Sequence, residues 1–472
     1  MKTELSRRHI LSIALAPFVL ALLLIAGCLE QVCVWSPDGK RAAIINLNKG
    51  GMMLCDADGT LSAPLVPDVF RVAWLSDSQR LVLARSHKET KWTPLARAMG
   101  QPRAAALVAQ AEVAWQKLQT GAGWGGVAAL FADRDPDWRF VCIYLHERYG
   151  EALRAKLDPG EWDALTKVTP EIQELVMARI DGEKIVTGTQ LYEGIDAISD
   201  FRVSPGDKAV AFVAELAQGK SKDGRLWVVR VDTSTPELVA ERVAGYPDWT
   251  ADARSLAYVQ ASGASSSDDL RLGTLVQREV LDPAGKIQIK SERKDLAGLL
   301  FSDQTRVRCL RDGRILFNAA EITLPLTADD YEDEHEQLFA LDPAHQATLV
   351  RMIPRKQQEN LPKGLTFFEV SPGERQVLFG DFTGNIGVLP LATGTVQQFQ
   401  EPAKDSLQGA PVWRSDGEFT YTRRTPEKEG KKPARAAEVV LGTEEKDGHY
   451  KEKVLSQTWP DAMVNELFSE KN

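Results

Sequence analysis

VWSPDGKRAAII, Val34 to Ile45, is a tight turn followed at once by a short apolar run. Ser36-Pro37-Asp38-Gly39 fits a type I β-turn. In such a turn Ser bonds locally, Pro presets φ, Asp tolerates the bridge region and Gly takes the last place. Closed by a residue in the left-handed region, it joins antiparallel strands as a three-residue hairpin. The stretch therefore predicts strands over Val32–Trp35 and Arg41–Ile45. The second strand is apolar in a block rather than alternating, so its sheet should be covered on both faces.

The arrangement recurs. In register with Trp35, and without a gap through the turn, stand WLSDSQRLVLA from Trp74, VSPGDKAVAFVA from Val203 and WTADARSLAYV from Trp249. CLRDGRILFNA from Cys309, VSPGERQVLFG from Val370 and WRSDGEFTYT from Trp413 complete the set. Trp35, Trp74, Trp249 and Trp413 open four copies, and Asp38, Asp77, Asp252, Asp312 and Asp416 share one turn position. Gly39, Gly313 and Gly417 follow that Asp, whereas Gly206-Asp207 and Gly373-Glu374 invert the order. The copies lie 39, 129, 46, 60, 61 and 43 residues apart. Periods of roughly 40 to 60 residues mark four-stranded blades of a β-propeller, each burying its faces against its neighbours.

Two further strands are expected after each hairpin. GMMLCDADGTLSAPLV, turning at Asp58-Gly59, supplies them in the first repeat, and LWVVRVDTSTPELVAE in the third. In the second they appear only at LVMARIDGEKIVTGT, Leu175 to Thr189, so residues 88–169 interrupt that blade. The expected fold is all-β: a seven-bladed β-propeller of four-stranded blades with an α-helical insertion in blade two. The expected organisation is a signal peptide over 1–27, the propeller over 28–460, the insertion over 88–169 and a C-terminal tail over 461–472.

Trp35-Ser36-Pro37-Asp38-Gly39 and its six copies resemble the TolB-type propeller repeat, a relative of the WD-repeat class that also forms the propellers of prolyl oligopeptidase-like enzymes. The likeness covers nearly all of the chain outside the insertion. It implies a fold and not one activity, since such propellers serve scaffolds, receptors and enzymes alike. A TolB protein would also carry an N-terminal α/β domain, for which no room is expected here.

Net charge is −9, and the first 27 residues are themselves basic through Lys2, Arg7 and Arg8. An acidic body argues against nucleic acid as a partner. Arg7 and Arg8 precede an apolar run from Ile10 to Ile25, which ends in Leu24-Ile25-Ala26-Gly27-Cys28. That run is short for a bilayer span and resembles a bacterial lipoprotein signal. The resemblance implies that Cys28 becomes the acylated N-terminus and anchors the chain in a lipid membrane. Leu29 after it favours the outer membrane, with the protein facing the periplasm; Ser6-Arg7-Arg8 also resembles a twin-arginine signal. Only Leu29, Glu30 and Gln31 separate Cys28 from the first strand, a reach of roughly 10 to 14 Å. Cys33, Cys55, Cys142 and Cys309 show no evident pairing and read as core thiols.

Length collects between second and third strands. ELAQGKSKDG, ASGASSSDD, LPLTADDYEDEHE and RRTPEKEGKKPARAA all fall there, as does the insertion. In a propeller these connections share one face, a natural working surface. Within the insertion, Leu107, Ala111, Ala114 and Leu118 form one helical stripe. A second helix is expected from Asp135 and a third at Asp158-Pro159-Gly160.

No catalytic motif stands out. His146-Glu147 and His335-Glu336 lack a second His at zincin spacing, and neither a G-x-S-x-G elbow nor a phosphate loop is present. The acidic run Asp329 to Glu336 lacks Ca²⁺-loop spacing and reads as a solvated loop. The expectation is a non-catalytic binding or scaffold module with no cofactor and no metal, whose partner is an envelope protein or a saccharide. The alternative left open is a propeller-type hydrolase or lyase whose site is assembled, without a motif, from residues of the central channel.

Overall fold

The computed structural model describes residues 33–468 apart from 47–50, 63, 122, 129–134, 216–223, 263–270, 303, 321–335, 346, 355–364, 382–384, 401–406, 425–436 and 446–448. Strands dominate, all paired antiparallel within the sheets. The first sheet is a four-stranded meander of β1 (Cys33–Trp35), β2 (Arg41–Ile45), β3 (Gly51–Asp56) and β4 (Val66–Pro67). β5 (Val69–Trp74), β6 (Arg80–Lys88), β7 (Glu171–Asp181) and β8 (Lys184–Gly194) form the second. Near the C-terminus, β20 (Leu365–Val370) to β23 (Gln397–Gln400) and β24 (Leu407–Ser415) to β27 (Tyr450–Val454) form two more.

Between them the third, fourth and fifth repeats share one eleven-stranded sheet, β9 (Ala197–Val203) to β19 (Thr348–Arg351). The join is made by long strands. β12 (Glu237–Trp249) pairs with β11 (Gly224–Arg230) through its first half and with β13 (Ser255–Ala261) through its second. It bends at Gly245, whose φ is 69°. A Cβ there would stand 2.1 Å from the Thr305 carbonyl oxygen, so only glycine admits this approach.

Period-two side chains explain the apolar blocks. In β2, Ala42 and Ile44 pack with Val439 and Leu441 of the last sheet, while Ala43 and Ile45 pack with Val72 and Leu81 of the second. In β10 (Ala209–Glu215), Ala211 and Val213 face β13, and Val210 and Phe212 face the second sheet. Each sheet is thus covered on both sides, as the blocks of apolar sequence require. The last-to-first junction is polar as well as apolar: Trp35 Nε1 donates to Thr420 Oγ1 at 3.0 Å and Arg414 Nε to the Gly39 carbonyl at 2.9 Å.

Among the described residues the segment between β6 and β7 is helical: α1 (Trp92–Met99), α2 (Gln101–Gln119), α3 (Trp124–Ala128), α4 (Asp135–Arg154), which is kinked at Gly150, and α5 (Pro159–Thr166). α1 has no counterpart in the sequence reading. Leu107, Ala111, Ala114 and Leu118 are buried with Phe140, Ile143 and Leu153, giving these helices a core of their own. Asp158 caps α5 reciprocally with Glu161. The C-terminal segment, whose residues from Asp461 to Phe468 carry a helix-like or short-strand pattern, forms α6 (Asp461–Phe468). Val464 is buried against the first and last sheets, and Trp459 Nε1 donates to the Gly59 carbonyl at 2.7 Å.

Candidate functional site

The repeat turns share one backbone feature. The residue after the shared turn position takes positive φ in all seven copies: Gly39, Gly313 and Gly417, but also Ser78, Asp207, Ala253 and Glu374. Asp38, Asp77, Asp252 and Asp312 accept backbone N–H groups of their own turns. Asp416 does otherwise and accepts from Gly373 N at 2.7 Å and Arg375 Nε at 3.1 Å, bridging to the preceding sheet.

The tryptophans do more than fill the turns. Trp74 Nε1 donates to the Val34 carbonyl at 2.9 Å, Trp249 to Arg202 at 3.1 Å and Trp413 to Glu369 at 3.0 Å. In each case the acceptor lies one residue before the aligned position of the preceding repeat. The repeated indole therefore fixes the backbone of a neighbouring first strand.

Those first strands converge on a cavity of about 320 Å³. Val34 of β1, Arg71 of β5, Asp200 and Arg202 of β9, Glu369 of β20 and Val412 of β24 all line it. Behind its lining residues Arg71, Arg202 and Glu369 stand Tyr246 and Asp248 of β12, Arg306, and Arg308 of β16 (Val307–Cys309). Alternation along a strand sends residues two apart to one side, so Asp200 and Arg202, Tyr246 and Asp248, and Arg306 and Arg308 act as pairs.

Arg71 Nη1 contacts Asp200 Oδ1 at 2.7 Å and Arg202 Nε lies 3.5 Å from Asp200 Oδ2. The Arg306 guanidinium is held over two rings, 4.2 Å from the Tyr246 centroid and 4.7 Å from that of Phe367. Tyr246 and Arg306 are also backbone neighbours, since Tyr246 N donates to the Thr305 carbonyl at 3.0 Å. Burial raises the Asp248 carboxyl despite Arg308 and Arg202. Burial lowers Arg306, and burial together with Arg202 brings Arg308 down to about 10. For Arg202 burial acts downward too, but Asp200 and Asp248 outweigh it and the pKa is raised.

This centre was not picked out from the sequence. The signal lay one and three positions before each aligned residue, on the strand side of the repeat rather than the turn side. Cys28 lies outside the described residues, as do the Asp329 to His335 part of the acidic run and most of the long connections. Cys33, Cys55 and Cys142 are buried free thiols, all pushed up to about 12 by burial. Among the described residues no cluster suits a metal, and no helix is long and apolar enough to cross a membrane.

No protein-family model and no curated protein matches the chain. Among solved structures it is similar to hydrazine synthase of Kuenenia stuttgartiensis (10% identity, 77% of each chain, TM-score 0.44). It is also similar to the β-propeller domain of Cps50 (Swd1) of Myceliophteria thermophila (9% identity, 83% of this chain and 93% of that one, TM-score 0.42). Oligogalacturonate lyase of Vibrio parahaemolyticus matches at 11% identity over 78% of this chain and 77% of that one, with a TM-score of 0.40.

Proposed function

We propose that the chain is a closed, seven-bladed, TolB-like propeller serving as a non-catalytic binding module of the bacterial cell envelope. Acylated Cys28 tethers it to the membrane, the outer membrane being favoured, and its partner is an envelope protein or a saccharide. The observation that carries this reading is the helical platform set into the second sheet. Arg97 pairs with Glu193 at 2.8 Å, and Asp196 is shared by Arg103 at 3.3 Å and Arg225 at 2.6 Å. Since Arg225 is the second residue of β11, the platform is braced against the next repeat as well as its own. Such bracing suits a surface that must hold its shape against a partner. The mutual burial at the last-to-first junction supports the closed ring.

The platform can be removed without breaking the sheet. Lys88 and Glu171 are register partners, and Glu89 N donates to the Pro170 carbonyl at 2.9 Å. An Asn-Gly turn in place of residues 90–169 should close that hairpin. Crosslinking pull-downs with the intact and shortened chains test the reading: the platform-free chain should keep its β circular dichroism and lose a partner captured by the intact one. Equal capture by both would defeat it. Cys28→Ser should abolish incorporation of labelled palmitate and release the protein from the membrane fraction.

A further inference from the structure

Viewed in repeat register, the centre is two-sided. One residue before the aligned position, four successive repeats carry Arg202, Asp248, Arg308 and Glu369. The other three carry Val34, Ala73 and Val412, which line the apolar side of the cavity. Four arginines (71, 202, 306 and 308) meet three carboxylates (Asp200, Asp248 and Glu369), so the centre of an acidic protein is locally basic.

The excess is not spread evenly. Arg71 and Arg202 are both tied to Asp200. Arg306 and Arg308 are only 6% and 7% exposed, and among the described residues neither makes an ion pair. Arg306 Nε and Arg308 Nη2 are buried without a hydrogen-bond partner. The opposite charges that reach them act only at longer range than an ion pair, Asp200 and Glu369 on Arg306 and Asp248 and Glu369 on Arg308, and a buried donor with no hydrogen-bond partner calls for one. Planar guanidinium donors match the oxygens of carboxylates and phosphates. Both arginines lie within electrostatic range of Arg202 and Glu369, which line the cavity.

We propose that this centre binds a small molecule bearing a carboxylate or phosphate group on an apolar body. The acid group takes the Arg306 and Arg308 side, and the apolar body lies against Val34, Ala73 and Val412. A cavity of about 320 Å³ is of the size that takes a small ligand. The site is distinct from the helical platform and does not depend on it.

Isothermal titration of the purified chain with benzoate and, separately, inorganic phosphate tests this and tells the two acid groups apart, with neutral benzamide as control. At least one anion should saturate a single site, and benzamide should not bind. Arg306→Gln and Arg308→Gln should each weaken binding tenfold or more. Asp248→Asn, which removes a competing negative charge, should tighten it severalfold, an outcome that mere loss of folding cannot produce. Absence of saturable binding by either anion, or an affinity that none of these substitutions changes, would overturn the assignment.

Discussion

Replacing Trp249 by Phe isolates the bond by which one repeat fixes the next. The indole is 3% exposed and its Nε1 reaches the Arg202 carbonyl at 3.1 Å. Phe keeps an aromatic ring in place but removes the donor, a lost buried hydrogen bond worth about 1 to 1.5 kcal/mol, while the Arg202 carbonyl keeps its register partner Ala211. The smaller ring also leaves about 40 Å³, which at about 24 cal/mol per Å³ adds about 1 kcal/mol. The expected loss is therefore about 2 to 2.5 kcal/mol, read as a lower urea midpoint at unchanged slope by far-ultraviolet circular dichroism. Trp227→Phe is the matched control. Its ring is only partly buried and its indole makes no hydrogen bond among the described residues, so it should cost less than about 1 kcal/mol. Equal losses in the two variants would refute the inter-repeat role of the indole.

Other consequences follow from the same geometry. Ala253 holds φ 59° where three other repeats use glycine, so Ala253→Gly should stabilise the chain by about 1 kcal/mol in the same urea assay. Asp200→Asn strips the counter-charge from Arg71 and Arg202 at a site 2% exposed, and should cost about 3 to 5 kcal/mol or prevent folding, measured as soluble yield and melting temperature. The Ser36 hydroxyl, donating to Asp38, holds that carboxyl below its ordinary value. Its contribution is thus present above about pH 4 and lost as pH falls further, and Asp38→Asn should flatten that part of an acid titration of stability. Cys33, Cys55 and Cys142 should resist iodoacetamide at pH 8 until urea exposes them, as mass spectrometry of the labelled chain would report.

The hairpins were legible because their determinants are local. Ser36 to Gly39 contains its own turn chemistry, and block-apolar strands such as Arg41–Ile45 announce burial on both faces. The helical stripe Leu107 to Leu118 was legible for the same reason, its period being written in the residues themselves. The merged central sheet was not, because it depends on β12 bending at Gly245 against Thr305, about sixty residues further along. Nor was the packing of Trp459 and Val464, which needs the last repeat to lie beside the first. The charged centre sits between these cases. Arg202, Asp248, Arg308 and Glu369 share a register position in plain view, but their meaning depends on strands that converge only in three dimensions.

Zero-length carbodiimide crosslinking of the dilute, monomeric chain examines that convergence most directly. Asp58, on the turn of the first sheet beside Gly59, is under the electrostatic influence of Lys453 on β27. An isopeptide joining their two peptides should appear alongside the internal control, Asp163 with Lys167, which stand 2.5 Å apart. Recovery of the control link without the Asp58–Lys453 link would mean that the last repeat does not meet the first, and the shared centre would be lost with it.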